Sequence, residues 1–153
     1  MTIREALIPA AGRGARLDRP NTPKPLVEVG GEPLILRVLT QLERAGIERA
    51  VVVVGYEGDQ IVRELTNHPR LDLELEFVEH DSWQKGLASS VWAADGALEA
   101  PFVLAMADHW FDQALVDAAV ERDLGDDAVL ELIDPDTDEV YDVESAVKVR
   151  AVE

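Results

Sequence analysis

Apolar positions along the chain fall into short blocks that alternate with helical stripes. EALIPA (5–10) is a brief apolar run that stops at glycine, the mark of a buried strand. RAVVVVGY (49–56) is a continuous β-branched run, as expected of a strand covered on both faces. LDLELEFVEH (71–80) alternates apolar with acidic residues and predicts a half-exposed strand. PFVLAMADHW (101–110) contains a further buried strand ending at Asp108, and DAVLELI (127–133) reads as another. Between these runs the apolar residues recur at helical spacing. Residues 33–46 predict a helix with Leu34, Val38, Leu39 and Leu42 on one face, Pro33 in its first turn and Gly46 at its stop. Residues 58–68, 86–98 and 112–124 predict three more. LVEV (26–29) is a short extended piece before a turn at Gly30 and Gly31, and the tail from Asp134 offers VYDV and AVKVRAV as short strands.

Strands that alternate with helices predict βαβ units, hence a Rossmann-like three-layer α/β/α fold with a mostly parallel sheet. No repeat, linker or low-complexity segment divides the chain, so one domain over residues 1–153 is expected.

Composition narrows the chemistry. Apolar residues make up 47% of the chain, enough for a core. The absence of cysteine excludes disulfides, thiolate metal sites and a cysteine nucleophile. With 31 acidic against 14 basic residues, the net charge of −17 argues against nucleic acid and anionic membranes as partners. Such acidity fits a high-salt cytoplasm as well as it fits a generically acidic surface. No run approaches membrane-spanning length and the N-terminus lacks a signal-peptide stretch, which predicts a cytoplasmic protein without membrane insertion.

Against that acidity, LIPAAGRGARLDRPNTPKPL (7–26) gathers basic groups in a single loop. The loop follows a buried strand, where α/β proteins place ligands. Ala10, Ala11, Gly12 and Gly14 let backbone come close to a ligand and point amides at phosphate oxygens, while Arg16 and Lys24 neutralise charge. Arg13 is a further candidate. Two standard phosphate loops do not match: Leu17 stands where a dinucleotide fingerprint needs its third glycine, and Lys24 sits between prolines rather than in Gly-Lys-Ser/Thr. The two glycines alone equally describe a turn with surface arginines.

The longer pattern is more specific. AAGRGARL followed by TPKPL resembles the signature of nucleotidyltransferases of the nucleotide-diphospho-sugar transferase fold, which activate sugars and alcohols. The resemblance implies that Ala10, Ala11 and Gly12 lie against base and ribose, that Gly14 and Arg16 hold the β and γ phosphates, and that Lys24 meets the α-phosphate. Pro23 and Pro25 would stiffen the backbone around that lysine. QKGLASSV (84–91) resembles the family's base-recognition segment, with Gly86 admitting the base and Leu87, Ala88 and Ser89 lining its pocket. Read alone, it is a plain helix start. LAMADHWF (104–111) resembles the family's metal-binding strand end and makes Asp108 the ligand of Mg²⁺, a hard ion that prefers oxygen.

MADHWF, EHDSWQKG (79–86) and DVESAVKVR (142–150) look most like the CTP:inositol-1-phosphate cytidylyltransferases, with Lys148 on the acceptor's phosphate. The spelling IPAAG is closer to sugar-1-phosphate enzymes that use UTP, dTTP or GTP. The resemblance covers the nucleotide-binding part of the family's domain and not the later acceptor-binding part. It implies a Mg²⁺-dependent enzyme that transfers a nucleoside monophosphate from a nucleoside triphosphate, CTP preferred, to a phosphorylated sugar or alcohol such as inositol 1-phosphate, releasing pyrophosphate. A non-catalytic nucleotide-binding module and an acidic interaction domain are the alternatives. An apolar patch left by a missing C-terminal half is a surface on which a homo-oligomer could form. Trp83, Trp92 and Trp110 read as core or pocket wall, His68 as a helix-end residue, and His109 as either a ligand contact or a packed structural group.

Overall fold

The β-branched run at the chain's centre decides the architecture. In a strand, successive side chains point to opposite faces, so four valines in a row demand cover on both. The computed structural model, which describes residues 2–14, 22–99, 101–125 and 129–133, meets that demand with a parallel sheet between helices. The strands of this sheet are β1 (Glu5–Pro9), β4 (Arg49–Val54), β5 (Glu74–Glu79) and β6 (Val103–Leu104), in the order β5-β4-β1-β6. All three pairings are parallel, with Leu7 opposite Val51, Val52 opposite Phe77 and Ala6 opposite Val103. A small antiparallel ribbon pairs β2 (Glu28–Val29) with β3 (Glu32–Pro33).

The helices are α1 (Leu34–Arg44), α2 (Gly58–Leu65), α3 (Leu87–Ala93) and α4 (Gln113–Glu121). One sheet face packs Ile8, Ala50 and Val52 against Ile35, Val38, Leu39 and Leu42 of α1, Ile61 and Leu65 of α2, and Val116 and Val120 of α4. The other face packs Leu7, Val51 and Val53 against Ala94, with Val91 and Trp83 at its margin. Two compact units are distinguished, Met1–Arg122 and Asp123–Glu153. Every helix and strand named above lies in the first.

Several predicted bounds shift, each for a local reason. Pro33 does not sit in the first turn of α1. It is extended (φ −56°, ψ 139°) and pairs with Glu28 as the last residue of β3. The helix predicted to reach residue 68 stops at Leu65, because Thr66 turns extended and Asn67 enters the left-handed region at φ 54°. His68 follows that stop, its N–H donating to the Leu65 carbonyl at 3.2 Å. Helix α3 ends at Ala93 rather than 98, and Gly96 turns the chain at φ 79°. β6 keeps only two residues of the predicted run. Val129–Ile133, predicted as a strand, belong to no strand and are exposed. An alternating pattern makes a strand only where a ladder partner accepts it.

Arg49 ties the lower edge of the sheet together. Its guanidinium pairs with Glu5 of β1 and Glu76 of β5, and donates to the Ala97 carbonyl at 2.8 Å. The hydrogen bonds to Glu76 and then Glu5 raise its pKa above an already high ordinary value.

Candidate active site

The strand order creates a crevice. From β1 the chain crosses through α1 to β4 on one side; from β5 it returns through α3 to β6 on the other. In open parallel sheets, ligands sit at such a reversal, beyond the carboxyl ends of the strands. The carboxyl end of β1 runs into Ala10–Gly14, and that of β6 leads to Asp108.

Neighbouring chain fixes the start of the loop. Ala10 N–H donates to the Val53 carbonyl at 2.8 Å, and the Ala11 carbonyl accepts from Tyr56 N–H at 3.0 Å. Both alanines are buried, whereas Gly12 faces open space. Gly14 is left-handed at φ 64°, and a Cβ there would meet the Cβ of Lys24 at 2.6 Å. The backbone amides of Gly12, Arg13 and Gly14 have no backbone acceptor among the described residues. Arg13 lies over the ring of Tyr56, 5.7 Å from its centroid, and that ring meets Trp83 edge-on at 5.6 Å. Tyr56 was not singled out in the sequence; its place directly after the central strand is the signal that could have found it.

Lys24 opens a single 3-10 turn, Lys24–Leu26, between two buried prolines, Pro23 and Pro25. The prolines fix the backbone on either side, so the side chain leaves in a set direction. It reaches the carboxylate of Asp108 as an ion pair. The lysine side chain is 37% exposed and that of Asp108 only 17%, so the pair stands at the mouth of the crevice with the carboxylate deeper. An ammonium has three protons, and one carboxylate leaves donors to spare. The pairing therefore positions Lys24 without exhausting it.

The segment before α3 forms a second wall. Trp83 closes on Gly55, where a Cβ would stand 2.9 Å from the Cβ atoms of both Trp83 and Ala11. Gly86 caps α3 at φ 93°. The Ser89 hydroxyl donates its only proton to the Gly86 carbonyl at 2.8 Å. At 3.0 Å from His80 Nε2 it therefore accepts, and the imidazole donates through Nε2. Ala88 lines a recess of about 250 Å³ with Leu7, Val91, Trp92, Leu98 and Phe102. A larger cleft of about 400 Å³ lies beyond β4 and β5, and Glu57, Asp59, Glu79 and Asp81 face it. That acidic lining repels phosphates, whereas Lys24 brings a positive group to the other end of the crevice.

Asp108 offers one carboxylate, and no group of three metal-binding side chains occurs among the described residues. A cation there would draw its remaining ligands from phosphate oxygens and water, the coordination that Mg²⁺ favours at nucleotide sites. Arg16 and Lys148 lie outside the described residues. Trp92 and Trp110, read as core or wall, are 76% and 65% exposed. His109 is exposed too, and stands edge-on to Phe111 at 5.8 Å.

Known proteins resemble this chain in sequence and fold. The model of the MobA-like NTP transferase domain matches residues 6–135. The chain is 35% identical over 116 residues to the UTP–glucose-1-phosphate uridylyltransferase AglF of Haloferax volcanii, covering 74% of this chain and 46% of that protein. It is 31% identical over 122 residues to a bifunctional IPC transferase and DIPP synthase of Aquifex aeolicus, covering 78% of this chain and 28% of that protein. Among solved structures, the inositol-1-phosphate CTP transferase from T. maritima superposes with a TM-score of 0.66 at 28% identity, over 80% of this chain and 51% of that one. The chain thus spans about half or less of the length of each of these relatives. With the matched model running from β1 to beyond α4, the chain belongs to the MobA-like NTP transferase domain family.

Proposed function

We propose that this chain carries the nucleotide half of a nucleotidyltransferase that moves a nucleoside monophosphate, CMP by preference, onto a phosphorylated sugar or cyclitol such as inositol 1-phosphate. The observation that carries the reading is the Lys24–Asp108 pair, set where the loop after β1 meets the end of β6. A phosphate oxygen of the acceptor attacks the α-phosphorus in line. The new O–Pα bond forms as the bond from Pα to the bridging oxygen breaks, and pyrophosphate leaves with that electron pair. Such transfer depends on positioning and charge neutralisation more than on a protein base.

The chain's own groups divide that work. Ala10, Ala11 and Gly12 offer a close, uncharged backbone to base and ribose. Gly14 brings the loop against Lys24, and its amide faces the outer phosphates together with Arg16. Lys24 turns its remaining protons to the α-phosphate as charge builds there. Gly86 and Ala88 border the base, and Lys148 is assigned to the acceptor's phosphate. Nucleotidyltransferases of this family generally use divalent metal ions. Asp108 would hold such an ion, Mg²⁺ in this reading, which would supply charge neutralisation at the phosphates.

The reading accounts for a basic cluster in a chain of net charge −17, because a triphosphate needs local cations whatever the rest of the surface carries. The uridylyltransferase relative favours a second reading, a sugar-1-phosphate enzyme that uses UTP. Pyrophosphate release from each of CTP, UTP, dTTP, GTP and ATP, with inositol 1-phosphate or glucose 1-phosphate as acceptor, separates the two. Release with CTP and inositol 1-phosphate is expected. Release only with UTP and glucose 1-phosphate moves the chain to the second reading, and release with none by a folded chain that also binds none of the nucleotides contradicts both.

A further inference from the structure

The two arms of the crevice that carry Lys24 and Asp108 meet again further on, and an exposed tryptophan stands where they do. The chain leaving Lys24 passes into the β2–β3 ribbon; the chain leaving Asp108 reaches Trp110 two residues later. Arg37 of α1 joins them. Its Nη2 donates to the Val29 carbonyl of the ribbon at 2.6 Å and lies 3.4 Å from Glu32. The guanidinium carbon stacks over the Trp110 ring, 4.3 Å from its centroid. One turn along α1, Gln41 donates to the Phe111 carbonyl at 2.6 Å, and Gln113 donates back to the Gln41 carbonyl at 3.0 Å. The segment after Asp108 is therefore held to α1 at the tryptophan and at the residues that follow it.

Trp110 is nonetheless 65% exposed, while Arg37 has only 20% of its side chain open to solvent. The arrangement is the reverse of ordinary packing: the charged residue is covered and the indole is presented. A large exposed aromatic, locked in orientation beside a reactive centre, is a contact surface for a ligand. Arg37 also sets the electrostatics of that surface. A cation over one face of an indole already draws on the ring's negative face. A second cation on the opposite face would meet both a weakened attraction and the repulsion of the first. Ring C–H groups suffer neither.

We infer that Trp110 is the stacking platform for the acceptor, and that Arg37 behind it selects a neutral cyclic polyol phosphate over an acceptor bearing an ammonium group. The inference rests on the nucleotidyltransferase reading and names the acceptor class of that same site. Trp110 acts by positioning the acceptor's phosphate toward the nucleotide and takes no part in bond making.

The test is calorimetric titration of the full chain, saturated with a non-hydrolysable CTP analogue, with inositol 1-phosphate, glucose 1-phosphate and phosphocholine. The parent should bind the ring acceptors about 10-fold or more tighter than phosphocholine, the scale of a cation–π preference lost. Trp110→Leu should weaken the ring acceptors by about 10-fold and leave analogue affinity within about 2-fold, whereas Trp110→Phe should recover most of the loss. Arg37→Met should narrow the gap to phosphocholine. Ring acceptors held equally well by Trp110→Leu, or a parent that prefers phosphocholine, would overturn the platform. So would a parent that binds the analogue but no acceptor. A parent that fails to bind the analogue contradicts the nucleotidyltransferase reading itself, and the platform with it.

Discussion

Gly14 and Lys24 stand in direct contact: a Cβ built on the glycine would lie 2.6 Å from the Cβ of the lysine. The neighbour is the rigid base of a side chain, not its flexible tip, so neither partner can yield cheaply. Gly14 is also at φ 64°, a region costly for other residues. Gly14→Ala should therefore cost about 1–3 kcal/mol in local strain and push the loop off Lys24. The expected result is triphosphate affinity reduced by about 10-fold or more, with a melting temperature lowered by several degrees. Calorimetric titration and a thermal melt read the two effects separately.

The Lys24–Asp108 pair should matter little to stability and greatly to chemistry. With the lysine side chain 37% exposed, breaking the pair should cost about 1 kcal/mol or less in a denaturant titration. Lys24→Ala should raise the transfer barrier by about 2 kcal/mol or more, the scale of losing one charge-stabilising donor. Asp108→Asn should abolish the Mg²⁺ dependence of nucleotide binding. Turnover unchanged in the first variant, or Mg²⁺ dependence retained in the second, removes the assigned role.

Gly55 is a packing position. A Cβ there would lie 2.9 Å from the Cβ atoms of Ala11 and Trp83 and 3.0 Å from the Ala11 carbonyl oxygen. Gly55→Ala must separate the end of β4 from both walls of the crevice. A loss of about 1–3 kcal/mol is expected, the usual cost of overpacking, and it should appear in a urea titration together with weaker nucleotide binding.

Arg49 holds three parts of the sheet's lower edge through Glu5, Glu76 and the Ala97 carbonyl. Its folded pKa is raised, so its contribution is fully present below the unfolded value and is lost only as pH rises through the folded one. Both lie in strong alkali. Arg49→Leu should thus cost about 1–3 kcal/mol, and the gap to the parent should be flat between about pH 7 and pH 10. A gap that shrinks across that range would show that the arginine is not what carries it. Nucleotide binding should be unchanged, because Arg49 sits at the opposite end of the strands from the loop.

How much of this was legible in the sequence depended on how local the cause was. The valines of β4 and the stripe Leu39–Leu42 of α1 announce burial by their own pattern, and both elements form there with ends one or two residues shorter than predicted. The loop at Gly14 and Lys24 was singled out by its resemblance to a known signature, since its glycines alone equally describe a turn. The strand predicted at 127–133 depended on a ladder partner, which no local pattern reveals. Pro33 as the end of β3 depended on pairing with Glu28. Of the two readings given to Trp110, core or pocket wall, the structure removes the first, and nothing near it in sequence indicates that Arg37 stacks against it.

The most direct test of the central claim is calorimetric titration of the parent chain with CTP, UTP, dTTP, GTP and ATP, with and without Mg²⁺ and at low and high salt. The account predicts Mg²⁺-enhanced binding with CTP foremost, at one site per chain, weakened by Lys24→Ala. Binding of no nucleotide by a chain shown to be folded, or binding indifferent to Lys24, would contradict it.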